Sequence, residues 1–563
     1  MVAVPDWLPL QQLAVVAAFV LALALVHRLD RPDGEWSHRL RSRFLFGVPW
    51  GTLLTVAFVL TVYLTLQDGL DHWFAPTVIP FTAWSFFYPT GMLTSAFAHS
   101  GPGHLVGNLV GTVTFAVVAE YAFGHFPRKR GASSFGAWHA NPYVRAFVVF
   151  PTVVLVVGVL TSLFGLGPVI GFSGVVYAFA GFALLYYPYA TVLAFVAGRV
   201  LDLTWGAFVR PVSTFSSQPV FSTPWFADIA LQGHALGFLL GALFALWLAD
   251  RRGDSFPSAL RLFTGALLFT VSQSFWAVYW FRGSGTFVLY RAGGLALVTL
   301  LAAVVTAAAT ADGRRLFQNV SVPGWGSGSG GSARASLGTL TGKQAAMSVL
   351  VLSTAAMAGP AVGVNLLTVA DDDLPNRAVK VNDYEVTYAE NVQNAMVSVV
   401  DVEAFGETTT VNTSGVIVRS RERGIWFTAV KKSRLAFTGS APVRLGGVGW
   451  RERVVAKRSG WVPAGADPVY RVNLSARGRE VPVYTSSPAT AEPVVDGRNV
   501  TVVAERNRFL LVVRHGEESA RAPMPAKNES VTLEGLTLTH EGKRLVATRG
   551  ETRVRVAKAE KYR

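Results

Sequence analysis

Long apolar stretches separated by polar loops fill the first two thirds of the 563-residue chain. A helix needs about 20 apolar residues to cross the hydrocarbon layer of a bilayer. Ten stretches come close to that length or exceed it, and they predict an α-helical polytopic membrane protein. The predicted spans are 10–27, 46–66, 102–123, 143–164, 168–187, 188–209, 228–249, 260–281, 286–311 and 344–369.

A different pattern begins after residue 369, where apolar and charged residues alternate as they do in a water-soluble domain. Residues 500–503 and 508–513 show strand-like alternation, and Gly and Pro punctuate the sequence around them. We therefore predict a compact β-rich domain over 370–563. The segment 312–343 is rich in Gly and Ser, which is typical of a flexible linker.

Composition narrows the chemistry that this chain can use. Hydrophobic residues make up 51% and charged residues only 15%, against roughly 25% charged residues in soluble proteins. The absence of cysteine excludes disulfides, thiolate metal sites and a cysteine nucleophile. The net charge of +15 is spread over many loops. This spread favours the basic loops of a membrane protein over nucleic-acid binding.

Basic residues in the loops predict the orientation of the spans. If all ten stretches cross the bilayer, these loops lie on one side, which the positive-inside rule makes cytoplasmic. The N-terminus and the domain 370–563 are then extracellular in a multi-pass protein of the cell membrane. Four sequons, at Asn412, Asn473, Asn499 and Asn528, fit that location, whereas Asn319 forms one on the inner side. The basic loop residues are Arg28, Arg31, Arg39, Arg41, Arg43, Arg128, Lys129, Arg130, Arg251, Arg252, Arg314, Arg315, Arg334 and Lys343.

Polar residues stand inside three of the predicted spans, where they are costly and indicate a functional site. His104 and Asn108 are four residues apart and share a helical face, as do Ser173 and Tyr177. The predicted orientation starts all three helices on the outer side. His104, Ser173 and His234 therefore lie at similar depth in the outer half of the bilayer. Glu120, near the inner end of its helix, is expected to satisfy backbone or loop donors.

Glycines and alanines recur at four-residue spacing in the same three spans. Such stripes let helix backbones approach closely in lipid. Close approach can bring a serine hydroxyl within hydrogen-bond reach of an imidazole on another helix, which activation of a nucleophile requires. The spaced sets are Gly103, Gly107 and Gly111; Gly167 and Gly171; Gly174 and Ala178; and Gly233, Gly237 and Gly241.

Each of these residues also allows a less specific interpretation. A serine between glycines is often a packing residue. A histidine in a membrane can bind a cofactor or line a proton path. A transporter or receptor with His104, Glu120 and His234 along a polar path therefore stays an alternative, although it leaves Gly171–Gly174 unexplained.

Together the residues resemble the rhomboid family of intramembrane serine proteases. The His-x4-His-x3-Asn motif of the family is present as His99, His104 and Asn108. Its Gly-x-Ser-Gly motif is present as Gly171, Ser173 and Gly174, and its last motif as His234 followed by Gly237 and Gly241. Tyr177 matches the ring that packs on the catalytic imidazole, and Glu120 with Gly124 matches a Glu-x-x-x-Gly pair.

The resemblance implies a serine endopeptidase that cleaves single-span or polytopic membrane proteins in the lipid bilayer, near the outer face. Ser173 would be the nucleophile and His234 its base, with His104 and Asn108 binding the oxyanion. Tyr177, Gly171, Gly174 and Glu120 would support this site, and no metal or organic cofactor is implied. An alternative is an inactive rhomboid-like protein that binds membrane helices.

The loop 67–98 departs from the family pattern, because Thr90 and Gly91 stand where many members have a Trp-Arg pair. Its apolar residues still predict a half-buried loop, but a salt bridge from that Arg to Glu120 is missing. The spans outside the six-helix core also lie outside the resemblance. The predicted segments are an extra span with a basic loop (1–45), a rhomboid-like core (46–249), two further spans (250–311), a cytoplasmic linker (312–343), a final span (344–369) and the β-rich domain (370–563).

Overall fold

The protein divides into a helical unit and a β-rich unit. The computed structural model describes residues 9–30, 34–126, 137–212, 223–227, 229–282, 286–311, 313, 340–367, 374, 376–393 and 412–563. The helical unit comprises Met1–Phe281 and Phe287–Leu366, and the β-rich unit comprises Arg282–Thr286 and Leu367–Arg563. This division confirms the predicted fold class, a polytopic helical membrane protein with a C-terminal β-rich domain.

Every predicted span contains a helix. Among the residues that the structure describes, seven helices are long and apolar enough to cross a membrane, and three apolar helices are shorter. In chain order the helices are α1 (Leu10–Asp30), α2 (Glu35–Arg43), α3 (Trp50–Leu66), α4 (Pro89–Thr94), α5 (Pro102–Phe123), α6 (Pro142–Leu163), α7 (Ser173–Tyr186), α8 (Pro188–Val209), α9 (Leu231–Arg252), α10 (Ala259–Ser272), α11 (Arg291–Thr310) and α12 (Gly342–Leu367).

Helix α7 lies at the centre of the helical unit, where most of its side chains are buried. Its closest neighbour is α9, whose Gly237 and Gly241 face carbonyl oxygens of Gly174 and Ala178. A Cβ added at either α9 glycine would lie 2.0 Å from the facing oxygen. The predicted close approach is therefore confirmed at Gly174, Ala178, Gly237 and Gly241, where the small residues allow the backbones to touch.

Other predicted stripe positions do not pack against a neighbour. A Cβ at Gly103, Gly107, Gly167 or Gly233 would meet nothing within 4 Å. On α5, the glycine that packs is Gly111, whose added Cβ would lie 2.7 Å from a Val176 methyl group. The prediction that Gly103, Gly107, Gly167 and Gly233 contact a neighbouring helix is therefore wrong. Four-residue spacing identifies one face of a helix but not what packs against that face.

Three predicted spans end earlier, or begin later, than apolarity suggests. Strands β1 (Tyr279–Phe281) and β2 (Phe287–Leu289) pair as an antiparallel hairpin between α10 and α11. Predicted helix over 273–281 and 286–290 is therefore wrong, since aromatic and β-branched residues there favour strands. A short apolar run does not by itself distinguish a helix from a strand. The predicted span 168–187 likewise becomes helical only at Ser173.

Several predicted features lie outside the described residues. Residues 312 and 314–339, which make up most of the predicted linker, are not among the described residues. Nor are the Asn319 sequon and the basic residues Arg31, Arg128, Lys129, Arg130, Arg314, Arg315 and Arg334.

The β-rich unit is antiparallel throughout its described strands. One eight-stranded sheet has the order β10-β9-β8-β18-β17-β16-β15 with β7 beside β8, and two four-stranded sheets have the orders β11-β12-β13-β14 and β3-β4-β5-β6. A short helix, α13 (Lys432–Thr438), precedes β7. The strands are β3 (Val379–Val381), β4 (Tyr384–Gln393), β5 (Asn412–Ser420), β6 (Ile425–Lys431), β7 (Ser440–Gly447), β8 (Trp450–Pro463), β9 (Val469–Ala476), β10 (Arg479–Thr485), β11 (Ala489–Thr490), β12 (Arg498–Ala504), β13 (Phe509–His515), β14 (Glu518–Pro523), β15 (Ser530–Leu533), β16 (Leu536–Glu541), β17 (Arg544–Arg549) and β18 (Thr552–Ala559).

Candidate active site

Ser173 is the first residue of α7, and a glycine two residues earlier shapes the approach to it. Gly171 has φ +126°, a backbone conformation that other residues rarely adopt. Its N–H donates to the Ser95 carbonyl oxygen at 2.8 Å. A Cβ at Gly171 would also lie 2.4 Å from Cε1 and 2.6 Å from Nε2 of His104. Both the conformation and the close approach of His104 therefore require glycine at this position.

The structure brings Ser173 and His234 together. His234 Nε2 lies 2.8 Å from Ser173 Oγ. His234 belongs to the first turn of α9, one turn before Gly237, which touches the Gly174 carbonyl. The backbone contact between the two helices thus holds a short hydroxyl within reach of an imidazole. This arrangement suits proton transfer from the serine to the histidine.

The imidazole of His234 is oriented by ring packing. The Tyr177 ring lies on it with a centroid distance of 4.4 Å and an interplanar angle of 32°. His234 Nδ1 is buried and has no hydrogen-bond partner among the described residues. When Nε2 accepts the Ser173 proton, a neutral ring carries its hydrogen on Nδ1. The carboxylate that orients the histidine of a serine triad therefore has no counterpart in the described residues.

His104 and Asn108 direct polar groups toward the backbone before Ser173. His104 Nδ1 lies 3.0 Å from Ser100 Oγ, which leaves its Nε2 edge facing Gly171. The buried Asn108 Nδ2 has no partner among the described residues. This nitrogen lies 3.5 Å from where a Gly171 Cβ would be. Both side chains can therefore offer hydrogen bonds to an oxygen placed beside Ser173.

A small cavity of about 30 Å³ adjoins Ser173 and His234. A site needs at least roughly 10–15 Å³ of such space, and several polar partners, to hold a water molecule. The cavity therefore has room for about one or two waters. Its polar lining includes Ser95, Thr161, Ser162, Ser173 and His234. Within the described ranges, no three His, Asp or Glu side chains are grouped as metal ligands would be.

Glu120 lies away from this cavity and caps a helix. Its carboxylate accepts hydrogen bonds from the Gly51 and Thr52 N–H groups, both at 2.8 Å, at the start of α3. His125 Nε2 lies 2.6 Å from Glu120 Oε1, while His125 Nδ1 accepts the Leu45 N–H at 2.9 Å. A carboxylate at a helix N-terminus is favoured by the helix dipole. These bonds match the structural role predicted for Glu120 and give it partners without the missing arginine.

The loop 67–98 is half-buried, as its apolar residues predict. Phe81, Trp84 and Phe97 are buried in it. Its two ends are joined by the buried Gln67 amide, which donates to the Thr77 and His99 carbonyls at 2.9 and 2.8 Å. Gln67 Oε1 also accepts the His99 N–H at 2.7 Å.

Sequence reasoning missed three amides that tie the loops around the site. They are Gln67, Gln232 and Asn365. Gln232 Nε2 donates to the Phe164 and Met357 carbonyls at 2.8 and 2.7 Å. Asn365 Nδ2 donates to the Leu163 and Gly165 carbonyls at 3.2 and 3.3 Å. Their signal in the sequence is an amide at the end of an apolar span, which is weak because many such amides face water.

The described geometry defines a polytopic helical membrane protein with a half-buried serine–imidazole pair. The family model described as Rhomboid domain matches residues 87–251. Residues 87–251 therefore form a rhomboid-family domain, and the resemblance seen in the motifs is confirmed. The match runs from just before α4 to the end of α9, so α1–α3, α10–α12 and the β-rich unit lie outside it. No curated protein and no solved structure matches the chain.

Proposed function

We propose that this rhomboid-family protein is an intramembrane serine endopeptidase, with Ser173 as nucleophile and His234 as general base. The observation that carries the proposal is the 2.8 Å separation of Ser173 Oγ and His234 Nε2 at the start of two touching helices. A serine hydroxyl is a weak nucleophile until a neighbouring base takes its proton. His234 is placed to do this.

The reaction has two stages that use the same pair. Ser173 Oγ attacks the scissile carbonyl carbon while His234 Nε2 takes the hydroxyl proton. The peptide C–N bond then breaks, and the imidazolium donates this proton to the leaving amine. Water next attacks the acyl-enzyme as His234 acts as base again, which frees the carboxylate product. The cavity beside Ser173 is a suitable source of that water.

The negative charge on the carbonyl oxygen needs donors in the first stage. Ser173 N–H at the start of α7, His104 and Asn108 would supply them. If Ser100 Oγ donates to His104 Nδ1, Nε2 carries the hydrogen and can donate toward the site. Asn108 Nδ2 is a buried donor without a protein partner among the described residues, as an oxyanion donor is before substrate binds. Removing one such donor typically slows catalysis about 100- to 1000-fold.

The proposed substrates are membrane proteins with one or more spans. Carbonyls in a transmembrane helix are hydrogen-bonded within the segment, so the helix must unwind locally before a serine can attack. With the orientation predicted from basic loops, cleavage would occur near the outer face of the cell membrane. The N-terminus and the β-rich unit would then be extracellular, and 46–249 would form the protease core.

A test is cleavage of a model single-span substrate by the purified full-length protein in detergent. Ser173→Ala should abolish cleavage and labelling by a fluorophosphonate. Ser272→Ala is a matched control, since its Oγ donates to the Phe269 carbonyl within its own helix, α10. Cleavage at full rate in Ser173→Ala would contradict the proposal. Binding of a helix with neither cleavage nor labelling in the unmodified protein would instead indicate a non-catalytic rhomboid-like protein, and ion flux in proteoliposomes a transporter.

A further inference from the structure

The hydroxyl of Tyr177 reaches a residue outside the matched rhomboid domain. Tyr177 Oη donates a hydrogen bond of 2.8 Å to Gln273 Oε1. Gln273 follows the last residue of α10, and its own N–H donates to the Phe269 carbonyl at 2.9 Å. The ring that lies on the His234 imidazole is therefore held at its far end by a helix beyond residue 251.

The same helix end also encloses the Tyr177 ring with aromatic side chains. Phe275 and Phe269 lie at centroid distances of 5.3 and 6.3 Å from it. Phe238, on α9, stacks on Phe269 at 5.5 Å. The turn after α10 places Phe275, because Ser274 has φ +61° and the Phe275 N–H donates to the Thr270 carbonyl at 3.0 Å. Aromatic pairs in such geometries contribute beyond their buried area.

The support matters because His234 has few other constraints. Its Nδ1 has no partner in the part of the chain that the structure describes. Without an acceptor there, the tilt of the imidazole depends on Ser173 and on the Tyr177 ring. The Tyr177 ring is itself fixed by its Cα at one end and by the Gln273 hydrogen bond at the other. A displacement of this ring would move the imidazole away from Ser173 Oγ.

We propose that Gln273 is a positioning residue that acts on His234 through Tyr177, so that α10 is a working part of the active site. This inference rests on the proposed function. It assigns a role to a helix that lies outside the Rhomboid domain match. The ring on the imidazole is what the family resemblance implies; the new element is the Gln273 amide that holds the far end of that ring.

The experiment measures the rate of reaction of full-length protein in detergent with a fluorophosphonate. In that reaction Ser173 Oγ forms a bond to phosphorus, the P–F bond breaks, fluoride leaves and the serine proton passes to His234. Gln273→Met keeps the side-chain length but removes the acceptor. The second-order rate should fall about tenfold, since small misplacements of reacting groups have effects of at least that order. Gln273→Glu keeps an acceptor oxygen and should restore the rate to within about threefold.

A double-mutant cycle separates positioning from a general loss of structure. In a Tyr177→Phe background the hydrogen bond is already absent, so Gln273→Met should change the rate less than about twofold. With a model substrate, kcat should fall in Gln273→Met while KM stays unchanged. Ser272→Ala, one residue away, should behave as the unmodified protein does, because the Ser272 hydroxyl bonds the Phe269 carbonyl within α10.

Three outcomes would overturn the inference: an unchanged rate in Gln273→Met, an equal loss in Gln273→Glu, or a full tenfold loss in the Tyr177→Phe background. Each of these still requires labelling of Ser173 in the unmodified protein. An absence of that labelling would instead overturn the proposed protease function, so the two failures are distinguishable.

Discussion

The helical and the β-rich units differ in whether their notable buried polar groups have hydrogen-bond partners. In the helical unit, His99, Asn108 and His234 carry four of the buried polar atoms that have no partner among the described residues. All three residues belong to the motifs around Ser173. In the β-rich unit, by contrast, buried arginines face carboxylates: Arg458 Nη2 lies 2.5 Å from Glu560 Oε1, although Arg458 Nη1 has no partner among the described residues.

This difference distinguishes the candidate site around Ser173 from the structural network around Arg458. A buried polar atom without a partner costs about 1–3 kcal/mol, so a cluster of them is expected where a ligand or a reaction later uses them. Arg458 also stacks on the Tyr470 ring at 3.4 Å, and Tyr562 donates to Glu560 at 2.6 Å. Burial, followed by the bond to Glu560, raises the pKa of Tyr562, which keeps its hydroxyl protonated as a donor. These contacts indicate a role in holding the sheet.

The largest expected effect is the loss of this arginine–carboxylate pair. Glu560→Gln leaves the Arg458 charge buried without its counter-ion, and removing one partner of a buried pair typically costs about 3–5 kcal/mol. Hydrogen exchange should show faster opening of β8, β9 and β18. The exposed pair of Arg553 and Glu541 is the matched control, because Glu541→Gln should cost less than about 1 kcal/mol. Labelling of Ser173 should be unchanged in both variants, and a loss of labelling in Glu560→Gln would contradict the separation of roles.

The second-largest expected effect concerns the helix contact that holds Ser173 and His234 together. Gly237→Ala places a Cβ 2.0 Å from the Gly174 carbonyl oxygen and forces α7 and α9 apart. A displacement of about 1 Å between reacting groups costs on the order of 100-fold, so the rate of fluorophosphonate labelling should fall by about that factor. Gly206→Ala, at an open position of α8, should leave the rate unchanged. Equal rates in the two variants would mean that the helix contact does not set the Ser173–His234 distance.

The smallest expected effect is a pH dependence of the β-rich unit. The hydrogen bond from Arg419 lowers the pKa of Glu385 below its usual value of 4.5, against an opposing effect of burial. Because the folded-state pKa is the lower one, the stabilisation is present above pH 4.5 and is lost as the pH falls through the folded-state value. The urea midpoint of the β-rich unit should therefore fall between pH 6 and pH 3. Arg419→Met should reduce that change. A pH profile identical to that of the unmodified protein would show that Glu385 does not cause the pH dependence.

The sequence by itself determined the membrane class, the ten apolar helices and the β-rich domain, because span length and residue alternation are local properties. It also singled out Ser173, His234, His104 and Asn108, since polar residues are conspicuous in apolar helices. The resemblance to a family added Tyr177 as the ring on the imidazole. These predictions depend on residues close together in the chain or on residue types that lipid disfavours.

Only the tertiary structure decided which of these residues meet. Gly237 touches a neighbouring backbone whereas Gly103 faces open space, although both belong to equally regular stripes. The Gln273 amide reaches Tyr177 across 96 positions of the chain. The sequence around Gln273 predicts an uninterrupted span, and the turn after Ser272 is what directs this amide inward. Such contacts depend on how separate helices pack and where each one ends, and no local pattern of polar and apolar residues encodes that.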